Sequence, residues 1–378
     1  MAYLSLGTPE EQKLRTIVDT NMDKVLIFSS DIIDNGFNAN ASQTFVKNES
    51  EEFSFTEKGK NLKGISGTDT LKQPAINENV SFVLINEVDF NLTENMSYYE
   101  GNLGIGCINY EKEEDKKYDF IGKILDSQKD KKGRVMSIVH SDEDELNKAK
   151  IYIGEYDKKV FANTENIPVC SSVLDNFWNC KTTFLQISND TTNPFTLTID
   201  DVISFFSSSE EFSLFPLNIF QQFIDAYLSP LQDQISCKEI VEEKVHYYEC
   251  GIFDDSKVEL YNISIILENN ITIALKTEDL WIRDSDKMRF RIAGNEDNNK
   301  NIFLGESVFR YYDYLFDYED SVISIVKHPQ QKKEEPKTEK KFKFIVPIII
   351  GAILIVLFLI FLFWRSKKIR NSEYLNKS

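Results

Sequence analysis

Histidine is nearly absent from this sequence. His140, His246 and His328 are the whole complement of its 378 residues. None stands at metal-ligand spacing from a cysteine or an aspartate, so no metal is expected and the three are expected to be solvent-exposed or structural. No Gly-x-Ser-x-Gly elbow occurs, and the cluster Ser207 to Ser209 has no evident histidine partner, which excludes a serine hydrolase. A glycine-rich phosphate loop is also missing, and no cofactor is expected. Basic residues are too few to balance the acidic ones, 43 Lys and Arg against 61 Asp and Glu, for a net charge of −18. Residues 327–378 hold 12 basic and 4 acidic residues, so residues 1–326 carry −26. A body this acidic repels phosphate backbones, and nucleic acid is excluded as a partner. Residues 1–10 lack a cationic start followed by an apolar stretch, so no signal peptide is expected there.

Apolar and aromatic residues are plentiful. They make up 42% and 12% of the chain, enough for large cores, and the length exceeds what one core holds. The expected organisation is two lobes, 1–165 and 166–326, followed by a stalk over 327–343 whose Pro, Gln, Lys and Glu cannot supply a core. Residues 344–364 then run 21 positions without a charge, and this length of apolar chain predicts a transmembrane helix. A short tail over 365–378 opens on Arg365, Lys367, Lys368 and Arg370. Basic residues also precede the span, at Lys337, Lys340, Lys341 and Lys343, so charge alone does not choose the side of the membrane. Eight Asn-x-Ser/Thr sequons precede the stalk, at Asn40, Asn48, Asn79, Asn91, Asn95, Asn189, Asn262 and Asn270, and predict a lumenal or extracellular glycoprotein. The five cysteines allow Cys170 to pair with Cys180 and Cys237 with Cys250, leaving Cys107 free; five buried thiols are the alternative.

The stretch around which the chain is organised is Leu14 to Phe28, where apolar residues drive into the acidic turn Asp19-Thr20-Asn21 and a second apolar run follows. Upstream stands Leu6-Gly7-Thr8-Pro9. Further on come Lys63-Gly64-Ile65-Ser66-Gly67-Thr68-Asp69-Thr70, then Tyr99-Glu100-Gly101-Asn102-Leu103-Gly104-Ile105-Gly106, then Phe177-Trp178, and finally Ile302-Phe303-Leu304-Gly305-Glu306. In this order the segments resemble the pepsin-like aspartic peptidases over about residues 3 to 326. The resemblance implies a mainly β, bilobal double barrel with a central cleft in which an extended peptide or protein ligand lies. It also implies that Asp19 is the first residue of a catalytic pair.

The same resemblance puts the second catalytic turn nine residues before a proline that opens a helix. Pro216 is followed by Leu217, Phe220, Phe223, Ile224, Tyr227 and Leu228 at helical spacing, and nine residues back stands Ser207. Ser207-Ser208-Ser209 thus replaces the family's Asp-Thr-Gly. Using Asp200 or Asp201 instead would require six or seven extra residues before Pro216. Peptide hydrolysis in this family needs two carboxyls sharing one proton, one acting as base on a water and the other as acid. A serine hydroxyl takes neither role without a neighbouring base. Asn21 stands where the family has Gly, Met22 where it has a hydroxyl residue, and Glu57 where it has the flap Tyr. With Thr20, Ser208 and Ser209, these are the expected cleft and flap residues.

Three readings follow. The first is a membrane-anchored pseudoprotease that binds peptide or protein in its cleft without cutting, and the residues favour it. The second is an active, membrane-anchored aspartic endopeptidase, and the third is a structural surface protein with a vestigial cleft.

Overall fold

The structure, a computed structural model, describes residues 2–57, 60–73, 76–90, 99–106, 116–127, 133–140, 149–158, 160–161, 167–171, 177–188, 195–253, 258, 260–297, 300–309 and 311–328. Residues through His328 form one compact unit. The residues after it, including the apolar run 344–364, lie outside the described residues, as do Cys107, Asn91, Asn95 and Asn189. Among the described residues no helix is long and apolar enough to cross a membrane.

The first sheet is built from β1 (Ala2–Leu6), β2 (Gln12–Asp19), β3 (Val25–Phe28), β4 (Val46–Glu57), β5 (Lys60–Gln73), β6 (Ile76–Val88) and β7 (Gly101–Gly104), in the order β1-β2-β7-β3-β6-β5-β4. Its central strands are buried on both faces: every residue of the apolar run β3 and of the glycine-flanked β7 is buried. A helix, α1 (Phe120–Ser127), turns Phe120, Ile121, Ile124 and Leu125 inward at helical spacing. The chain then forms β8 (Val135–His140), β9 (Ala149–Ile153) and β10 (Val169–Ser171).

The second half supplies β11 (Asn179–Ser188), β12 (Phe195–Phe206), β13 (Ser213–Pro216), α2 (Leu217–Leu228), β14 (Cys237–Glu242), β15 (Val245–Gly251), β16 (Asn262–Leu267), β17 (Thr272–Leu275), β18 (Trp281–Asp284), β19 (Lys287–Phe290), β20 (Ile292–Asn295) and β21 (Asn301–Leu304). It ends with β22 (Tyr312–Asp317) and β23 (Val322–Lys327). As the apolar spacing predicts, a helix follows Pro216 and buries Phe220, Phe223, Ile224 and Tyr227.

The two halves repeat one pattern. In the first sheet β7 slots between β2 and β3, parallel to the former and antiparallel to the latter. In the second, β21 slots in the same senses between β12 and β13. Beyond them β3 pairs in parallel with β6, as β13 does with β20. Next, the hairpin β4–β5 lies against β6 and the hairpin β14–β15 against β20, with β19 and β18 continuing the second sheet beyond β15. A third sheet, β10-β23-β22-β8-β9, draws strands from both halves. The architecture is mainly β, as expected.

Both expected disulfides form. Cys170–Cys180 links β10 to β11, and Cys237–Cys250 joins register partners at the base of β14–β15. They close loops with sequence separations of 10 and 13 residues, and a loop of that size contributes roughly 3 kcal/mol by restricting the unfolded chain.

Candidate active site

Asp19 is the last residue of β2, where the apolar run Ile17-Val18 ends and the turn begins. It is only 4% exposed. Its carbonyl accepts a hydrogen bond from Ile105 N at 2.9 Å, and its own Oδ1 accepts one from Asn21 N at 2.8 Å. This Asx-type bond turns the chain back into β3. Ser207 follows β12 directly, is 1% exposed, and its N–H donates to Leu304 O at 2.9 Å. Ser209 Oγ lies 3.5 Å from Ser207 Oγ.

The two turns are joined through the residue after each. Thr20 Oγ1 donates to Phe206 O at 2.5 Å and accepts from Ser208 N at 3.1 Å. Ser208 Oγ donates to Val18 O at 2.6 Å and accepts from Thr20 N at 3.2 Å. Each hydroxyl therefore does for the opposite turn what the other does for its own, and the partners are related by a constant separation of 188 residues. Stepping back one residue from Thr20 and from Ser208 gives Asp19 and Ser207.

A second, independent contact gives the same equivalence. Gly104 passes so close behind the first turn that a Cβ on it would lie 2.3 Å from Lys24 O and 2.7 Å from Met22 O. A Cβ on Gly305 would lie 2.4 Å from Phe212 O and 2.7 Å from Glu210 O. Lys24 and Met22 are five and three residues beyond Asp19, as Phe212 and Glu210 are beyond Ser207. Only glycine lets the backbone of β7 and the end of β21 approach this closely.

Trp178 supports both turns. Its Nε1 donates to Ile105 O at 2.8 Å, and Ile105 N holds Asp19 O; its own carbonyl accepts from Phe206 N at 3.1 Å. Tyr318 Oη donates to the same Ile105 carbonyl at 2.8 Å. In the sequence Trp178 stands out only within the segment Phe177-Trp178, and Tyr318 carries no local signal at all.

The remaining expected residues fall as follows. Asn21 contributes its backbone to the Asp19 turn. The side chain of Met22 packs into an apolar cluster with Leu26, Phe28, Leu62 and Tyr118. Glu57 ends β4 opposite Lys60, at the tip of the β4–β5 hairpin; its side chain lies outside the described residues. The side chain of Asp201 is 94% exposed and pairs with Lys181 at 3.5 Å, six positions before Ser207. All three histidines are bonded to carboxylates. His140 and His328 hold the buried Asp313 through Nδ1 at 3.1 and 2.8 Å, and His246 lies between Glu239 and Glu296. Among the described residues one group, Cys170, Cys180 and Glu268, is close enough to hold a metal, and the disulfide occupies both of its sulfurs.

Chemically, the joined turns carry the carboxylate of Asp19 and the hydroxyls of Thr20, Ser207, Ser208 and Ser209. Such a set can accept and donate hydrogen bonds from a ligand's main chain. In comparisons with known proteins, the family model for eukaryotic aspartyl protease matches residues 1–328. No curated protein matches the chain.

Proposed function

Because the chain belongs to the eukaryotic aspartyl protease family, we propose that it is a pseudoprotease that holds an extended peptide or protein segment between its two lobes without cutting it. In this reading Asp19 keeps the first position of the family's catalytic pair and Ser207 occupies the second. The observation that carries it is the exchange of hydrogen bonds between Thr20 and Ser208, which supports reading Asp19 and Ser207 as counterparts. Hydrolysis by this family's route would require a base to take a proton from water while a neighbouring acid protonates the substrate carbonyl. Asp19 can be one of these. A serine hydroxyl has no proton equilibrium at acidic or neutral pH with which to be the other.

Binding does not need the pair. An extended ligand recognised through its backbone draws on main-chain groups and short hydroxyl side chains. The hairpin β4–β5, with Glu57 at its tip, would close over it, and Asn21, Ser208 and Ser209 would line the floor with Thr20 beneath. The apolar run 344–364 would tether the body to a membrane, with a lumenal or extracellular location for residues 1–326. Two disulfides support an oxidising compartment. The exposure of the sequon residues Asn40, Asn48, Asn79 and Asn270 is compatible with glycosylation.

The test is to pan a random peptide library against the full chain in nonionic detergent at pH 5 and to weigh the bound peptides by mass spectrometry. Peptides retained and recovered intact are the expected result. Peptides recovered cut at an internal bond would overturn the reading.

A further inference from the structure

The hairpin β14–β15 is locked at one end and lightly held at the other. At its base, Cys237–Cys250 is covalent. At its tip, Glu243 and Lys244 form a two-residue turn with φ of 47° and 69°. Near that tip the hairpin meets β20 at two register pairs only, Val245 with Asn295 and His246 with Gly294. Side chains reinforce this joint. His246 Nδ1 is 2.7 Å from Glu239 Oε1 on β14, and His246 Nε2 is 2.8 Å from Glu296 Oε1 just beyond β20.

Both ring nitrogens thus face carboxylate oxygens, which accept hydrogen bonds and have none to give when ionised. Only the doubly protonated imidazolium satisfies both contacts. A neutral ring has one N–H, so one nitrogen would present its lone pair to a carboxylate. We propose that His246 is a proton-operated latch, whose imidazolium ties β14 and the end of β20 together through Glu239 and Glu296 and whose deprotonation releases the hairpin tip. This inference does not rest on the reading of Ser207.

The other charged side chains at the joint are carboxylates, lysine and arginine, types whose ordinary values lie outside the range from pH 5 to 8. Lys244 pairs with Asp297 at 2.8 Å, and Glu296 N donates to Lys244 O. Further along β15, Glu249 pairs with Lys287 and Arg289 of β19, and Glu242 lies near Tyr247. Histidine is the side-chain type whose ordinary value falls within this range, and His246 is the histidine at the joint. Burial pushes its pKa down, but the hydrogen bonds it donates to Glu296 and Glu239 outweigh burial and hold it above the ordinary histidine value. In its sheet this hairpin has the place that β4–β5 has in the first, so the latch would set how firmly the second half's counterpart of that hairpin is held.

The test is amide hydrogen exchange of the full chain in nonionic detergent at pH 5 and pH 8, corrected for intrinsic rates, with His246→Gln beside the natural chain. Protection over residues 242–249 is expected to fall about fivefold to tenfold at pH 8 in the natural chain, the scale of a half-exposed charged hydrogen bond, and to be low at both pH values in the variant. Equal protection at both pH values in the natural chain, or the same pH dependence in the variant, would overturn the proposal. Should the variant not fold, NMR titration of the His246 ring in the natural chain decides. A midpoint above about 6.5 supports the latch, and one at or below it contradicts the latch.

Discussion

Thr20 and Ser208, 188 residues apart, each supply the acceptor for the other's backbone N–H, at 3.2 and 3.1 Å. Each also donates its hydroxyl proton across the joint, to Phe206 O and Val18 O. Four backbone groups in a buried or partly buried position are satisfied by two side chains. Whatever Asp19 and Ser207 do, they do it from positions held in register by this exchange.

Removing either hydroxyl leaves buried backbone groups without partners. Thr20→Val and Ser208→Ala are each expected to cost about 1–3 kcal/mol of stability. Because each loss breaks the same joint, the double variant should cost less than the sum of the two, with a coupling of about 0.5–3 kcal/mol. Denaturant unfolding of the three variants measures this, and additive losses would show that the exchange is not a unit.

The approach of Gly104 and Gly305 to the turns sets a steric prediction. With carbonyl oxygens 2.3 and 2.4 Å from where a Cβ would sit, Gly104→Ala and Gly305→Ala must displace backbone rather than flexible side chain. Each is expected to cost about 3 kcal/mol or more. Gly251→Ala is the control, since nothing lies within 4 Å of its Cβ position, and its thermal midpoint should change little.

Two carboxylate–histidine groups give the pH dependence opposite slopes at its two ends. His246 has a raised folded pKa, so its contribution is complete below its unfolded value of about 6.5 and is lost as pH rises through the folded value. Asp313 behaves inversely. Burial pushes its pKa up, but hydrogen bonds from His140 and His328 outweigh burial and hold it below the usual carboxylate value. Its contribution is complete above about pH 4 and is lost as pH falls through the folded value. Thermal midpoints measured from pH 3 to 9 should be highest between about pH 4 and 6.5. His246→Gln should flatten the alkaline decline and Asp313→Asn the acid one.

Much of this arrangement is legible in the sequence because it is set by local constraints. Pro216 must open a helix, Gly104 and Gly305 must be small, and the turn at Asp19 needs an Asx residue after an apolar strand. Counting from these positions lands on Ser207, and the bonded partners fall on the same count. The cysteines pair as their spacing suggests because β14 and β15 are adjacent strands, which brings Cys237 and Cys250 into register. What the sequence hides is contact across the fold. Trp178 reaches Ile105 over 73 residues, and His246 reaches Glu296 over 50. No period or motif encodes such pairs, because each partner is an ordinary member of its own strand or loop until the sheets assemble.

The most direct test of the pseudoprotease account is cleavage of an unfolded protein by the full chain in nonionic detergent from pH 3 to 6, with and without a transition-state peptide inhibitor. On this account no inhibitor-sensitive cleavage is expected at any pH in that range. Cleavage that the inhibitor blocks and that Asp19→Ala abolishes would contradict the account and make the chain a working endopeptidase.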